Sequence, residues 1–137
     1  MEANAATGSF QLASGFRLAA TTSKAEFLAS AEGRLAKPLV RNPPYESFQF
    51  LAGEGRLSVG AFFHGSQLQA LHLAVLAPEL ASEWSERSER ARVVENDRWL
   101  RSQGLEPGHV YSWGSVWSGY DPKGCSGQAV VRYSLSS

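Results

Sequence analysis

The chain has 137 residues, 43% of them hydrophobic and 19% charged, and its thirteen Lys and Arg balance thirteen Asp and Glu. That balance leaves no positive field to gather nucleic acid or anionic lipid. The apolar content argues against disorder and for one domain, residues 1–137, able to bury roughly two-thirds of its unfolded surface. A lone cysteine, Cys125, excludes an internal disulfide and a cysteine-based zinc site and is compatible with a reducing compartment.

The opening MEANAATGSFQL has an acid at Glu2, no basic start and no apolar run of signal length. Residues 1–12 are expected to form a loose end, and the protein is expected to be cytoplasmic. The longest apolar-rich stretch, LQALHLAVLAPEL, is too short to cross a bilayer, so no membrane partner is expected.

GFRLAATTS alternates Phe16, Leu18 and Ala20 against Arg17, the period of a half-buried strand. Ser23 with Glu26 is a capping-box pattern, and KAEFLASAEG predicts a short helix that buries Phe27 and Leu28 and stops at Gly33. Pro43 and Pro44 cannot donate to a ladder and predict a bend between two strands. From Tyr45 the chain reads as an antiparallel meander, turning at Gly53-Glu54-Gly55 and again at HGSQ before LQALHLAVL.

After Pro78 the spacing Glu83–Arg87, Glu86–Arg90 and Asp97–Arg101, with Gly104 beyond, predicts a helix over 83–101. One face should dock on the sheet, and Glu83, Glu86 and Glu89 read as a solvated row. The tail reads as a hairpin in which Tyr111, Trp113, Ser115 and Trp117 share one face and Asp121-Pro122-Lys123-Gly124 form a type I turn. The resulting order, β-α-β-β-β-α-β-β, predicts an α+β fold: a mostly antiparallel sheet with two helices packed on it.

Candidate chemistry is thin. His64, His72 and His109 have no second ligand at metal spacing, and there is no phosphate-binding glycine loop, so no metal or cofactor is expected. The serines at 115, 118 and 126 lack a nucleophile frame. Cys125 and His109, sixteen positions apart, are a weak pair, since a small residue leaving a tight turn explains Cys125 as well. Asp121 reads as turn chemistry. The four tryptophans, Trp84, Trp99, Trp113 and Trp117, are either core or interface anchors, because Trp, Tyr and Arg dominate protein-binding hot spots.

WSERSERARVVENDRWLRSQG followed by YSWGSVWSGYDPKGCSGQAVVRY resembles a pattern of small bacterial proteins. It consists of a W-S-E start, a charged helix ending N-D-x-W-L, a Y-x-W-G strand, Y-D-P-K-x-G, and a closing strand ending R-Y. The pattern covers residues 84–133. Proteins with this look are similar to the single-domain immunity proteins that accompany bacterial antagonistic toxins. The resemblance implies a cytoplasmic non-enzyme whose partner is one cognate protein toxin or effector. No catalytic residues carry over.

On this reading the partner-binding residues are Glu83, Trp84, Glu86, Glu89, Arg90, Asp97, Trp113, Trp117, Tyr120, Asp121 and Lys123. Two rivals stand beside it. One is a small enzyme or ligand-binding module using the Tyr111/Trp113/Trp117 face as a pocket floor, with His109 or Cys125 as its chemistry. The other is a structural subunit of a larger assembly.

Overall fold

Alternating apolar residues and glycine turns between Lys37 and Val75 build the centre of the molecule, and the computed structural model describes residues 1–76 and 84–134. Four strands, β4 (Lys37–Asn42), β5 (Tyr45–Ala52), β6 (Leu57–His64) and β7 (Gln67–Val75), follow one another as an antiparallel meander. The bend between β4 and β5 falls at Pro43–Pro44, a cis bond, and the β5–β6 turn at Gly53–Gly55, as the sequence predicts.

The C-terminal strands β8 (Val110–Tyr111), β9 (Gly114–Asp121) and β10 (Ser126–Tyr133) join beyond β7. They complete a seven-stranded sheet of order β4-β5-β6-β7-β10-β9-β8, antiparallel throughout. The fold is α+β. Among the described residues three helices, α1 (Lys24–Ala29), α2 (Ala31–Leu35) and α3 (Glu86–Ser102), accompany the sheet, together with a small sheet of β1 (Glu2–Asn4), β2 (Ser9–Gln11) and β3 (Arg17–Leu18).

The core lies on one face of the large sheet. Phe48, Phe50, Val59, Ala61, Phe63, Leu71, Leu73, Val116, Ala129 and Val131 alternate inward along their strands. Phe27 of α1 packs its ring among Phe48, Phe50 and Phe63 at 5.6–6.2 Å between centroids. Leu100 of α3 and Phe10 and Leu18 of the small sheet close the rest. Burial of such side chains is the main driving force for folding.

Several local expectations are corrected. Residues 1–12 are not a loose end: Phe10 and Leu12 are buried, and β1 and β2 form a hairpin held by long-range bonds. The Ala3 amide donates to Gln103 Oε1 at 2.8 Å, and the Tyr133 hydroxyl donates to the Gly8 carbonyl at 2.7 Å. The single helix at 24–33 is two short helices, because Ser30 ends α1 and caps α2, its hydroxyl accepting from the Gly33 amide.

Gly33 therefore lies inside α2 rather than ending a helix. A Cβ there would overlap the Phe27 carbonyl, so glycine is what allows the second turn to fold against the first. Leu28 is exposed, in contrast to Phe27.

Candidate interaction surface

The long helix begins where the sequence supplies a cap. Ser85 is extended and its hydroxyl accepts from the Ser88 amide, so α3 starts at Glu86 and Trp84 precedes it. Glu83 lies outside the described residues. Gly104, at φ +79°, follows the C-cap and turns the chain out of the helix.

The first turns of α3 sit against the β9–β10 hairpin because Gly127 has no side chain. A Cβ there would overlap the Glu89 carbonyl. This close approach corrects the reading of Glu89 as part of a solvated row. Glu89 is 8% exposed, its carboxylate receives the Gly127 amide at 3.2 Å, and it pairs with Arg92 at 3.3 Å. Arg92 in turn donates to the Val75 carbonyl at the end of β7. Glu89 is thus a structural fastener between α3 and β10.

The outer side of the same helix turn is open and chemically mixed. Trp84 is 61% exposed, and its indole Nε1 donates to the Cys125 carbonyl at 2.6 Å. Arg90 lies 4.5 Å from the centre of the Tyr120 ring and pairs with Glu86 at 3.3 Å. Partial burial, aided by the neighbouring Cys125 and Glu86, raises the Tyr120 phenol above its usual range, against the pull of Arg90.

The hairpin tip is ordered by turn chemistry: Asp121 Oδ1 accepts from the Lys123 amide at 3.0 Å, and Cys125 takes a positive φ of 52°. Trp84, Glu86, Arg90, Tyr120, Asp121 and Lys123 are thereby brought to one surface, formed by the start of α3 and the tip of β9–β10.

The other expected site residues lie elsewhere. Tyr111, Trp113 and Trp117 do not share one face of a strand. A tight turn at Ser112–Trp113, with Gly114 at φ +157°, joins β8 to β9, so Trp113 is a turn residue and strand parity breaks before β9 begins. Trp113 stacks on Tyr111 at 4.9 Å, packs beside Tyr133, and donates from Nε1 to the Ala5 carbonyl at 2.8 Å, pinning the N-terminal hairpin.

Trp117 alternates with buried Val116 and is 46% exposed on the opposite face of the sheet, in register with Val130, His72 and Gly60 across four strands. Asp97 is half-buried far along α3, beside Val94, Arg98 and Arg101.

The residues suggested as chemistry are also apart. His109 packs edge-on against Tyr111 at 4.4 Å, whereas Cys125 is exposed at the hairpin tip. His72 Nδ1 donates to Gln128 Oε1 at 3.2 Å, and burial pulls its pKa below the ordinary value. Among the described residues no three His, Cys, Asp or Glu side chains gather to hold a metal, and no helix is long and apolar enough to cross a membrane.

Sequence reasoning missed one exposed region, the edge formed by α2, β4 and the end of β5. The available signal was KPLVRN, two apolar residues between cations with no acid, beside a proline bend that leaves the strand at the sheet's edge. Comparison with known proteins finds no family, curated protein or solved structure that matches the chain.

Proposed function

We propose that this chain works by binding, as an immunity protein that neutralises a cognate bacterial toxin in the cytoplasm by covering its active site. The observation that carries the reading is the exposed Trp84 beside the Arg90–Tyr120 stack, an aromatic and arginine cluster at the helix–hairpin junction. Such clusters are the usual energetic centre of protein interfaces, and a charged rim of Glu86, Asp121 and Lys123 around them suits fast capture of a complementary partner. An interface of about 1,600 Å² in total would extend well beyond this centre along α3. The W-S-E…Y-D-P-K-x-G pattern falls on this same junction and supports the same reading.

Affinity capture of the tagged chain from its native host, followed by expression of each captured protein alone and together with this chain, tests the proposal. A one-to-one partner that stops growth alone and is silenced by co-expression is expected. A partner that is harmless alone, or no stoichiometric partner, would overturn it.

A further inference from the structure

Six of the eleven exposed large apolar side chains among the described residues fall within segment 28–51, far from the α3–hairpin junction in sequence and on the opposite end of the sheet order. β4 is the edge strand there, and all six of its residues are exposed. Strand β5 runs past it: Lys37, the first residue of β4, pairs with Gln49, so among the described residues Phe50 to Ala52 have no paired strand on that side. Beside this step lies a groove of about 430 Å³ between α2 and β5, with Leu35, 83% exposed, and Leu51, 59% exposed, on its walls and Lys37 at its rim.

The charge of β4 and the chain leading into it is one-sided, while Glu32 of α2 also lines the groove. Segment 34–42, RLAKPLVRN, holds Arg34, Lys37 and Arg41 and no acid. The nearest carboxylates are engaged: Glu46, opposite Arg41 in the ladder, pairs with Lys24 at 2.7 Å, and Glu32 accepts from the Ser14 amide at 3.1 Å. Arg34, Lys37 and Arg41 make no ion pair among the described residues.

An exposed strand edge offers main-chain donors and acceptors to another strand, and cations along it select an acidic one. Pro38 and the bulge between Pro38 and Val40 interrupt the edge, a device that discourages indiscriminate pairing. Recognition is thereby shifted onto the groove and the flanking charges. A second copy of the chain would bring the same three cations against themselves. Nucleic acid has no apolar side chain to seat between two leucines.

We propose that this edge binds an extended, acidic segment of a partner protein, which adds beside β4 and places an apolar side chain between Leu35 and Leu51 while its carboxylates meet Lys37 and Arg41. The proposal stands apart from the immunity reading and uses a different surface.

Panning the full chain against a displayed library of random peptides of roughly ten residues, about one strand with its flanks, is the test. The K37E/R41E double variant serves as counter-target. Both substituted residues are exposed, so matched thermal melts of the two proteins establish that folding is preserved.

Enriched peptides carrying net negative charge and alternating apolar residues are expected. By fluorescence anisotropy their affinity should fall at least about tenfold with K37E/R41E and with L35D, weaken as salt rises, and stay unchanged with W84A. Peptides that are not acidic, that bind both proteins equally, or that fail to enrich would overturn the proposal. Concentration-dependent dimerisation abolished by L35D would identify a second copy as the occupant and overturn it too.

Discussion

The indole of Trp84 donates to the main-chain carbonyl of Cys125 at 2.6 Å, so the residue just before α3 is tied to the tip of the β9–β10 hairpin, forty-one positions away. The bond fixes an otherwise exposed aromatic in one orientation, and an anchor that is ordered before binding loses less side-chain entropy when a partner arrives. On the proposed function, Trp84→Ala is expected to weaken capture of the partner by about 2 kcal/mol or more, the scale of an interface hot spot. Calorimetric titration measures the affinity. A parallel melt should move little, because the ring contributes little to the core.

Glu86 and Glu89 sit three positions apart and differ in kind. Glu86→Ala removes an exposed ion pair with Arg90 and should change stability by no more than roughly 0.5 kcal/mol. Glu89→Ala leaves the Gly127 amide without its acceptor and removes the carboxylate partner of Arg92 in a buried seam, and should cost roughly 3 kcal/mol. Urea unfolding of the two variants separates these expectations. Equal midpoints would mean that α3 is not fastened to β10 through Glu89.

Gly127→Ala attacks the same seam from the strand side. The added methyl would overlap the Glu89 carbonyl and push α3 away from β10, with an expected loss of about 3 kcal/mol. Gly55→Ala is a useful contrast, since its site has open space and only the positive φ of 82° opposes it. The ratio of the two losses, read from chemical denaturation, reports how tightly helix and sheet approach.

Stability should fall in alkali through Tyr133. Burial raises its phenol well above the ordinary range, while in the unfolded chain it titrates near 10. Below that value both states hold the proton and nothing is lost. Above it the unfolded state releases the proton first, and stability should decline by up to about 1.4 kcal/mol per pH unit until the buried phenol itself ionises. Tyr133→Phe gives up the bond to the Gly8 carbonyl, about 1 kcal/mol at neutral pH, and should flatten the alkaline slope. Denaturation midpoints measured on both sides of pH 10 check both effects.

The meander, α3 and the closing hairpin were legible because their signals are local: extended apolar runs between glycine turns, i,i+4 charge pairs with Gly104 beyond them, and Asp121 before proline. The N-terminal hairpin was not, since three-residue strands carry no period and are held by partners more than ninety positions away, Gln103, Trp113 and Tyr133. Trp113 and Trp117 looked alike because their spacing is even; a tight turn and one glycine at φ +157° separated them. Glu89 looked solvated because helix spacing places it with Glu86, and nothing near it in sequence reveals that a glycine on a later strand draws the helix backbone onto the sheet. Of the expected surface, the junction of Trp84, Arg90 and Tyr120 did come together.

The central claim, that the α3–hairpin junction is what silences the toxin, is tested most directly by growth of cells expressing the captured partner together with wild-type chain or with a W84A/R90E/K123E variant of matched melting temperature. Wild-type chain should restore growth and the variant should not. Full protection by the variant would contradict the assignment of this surface.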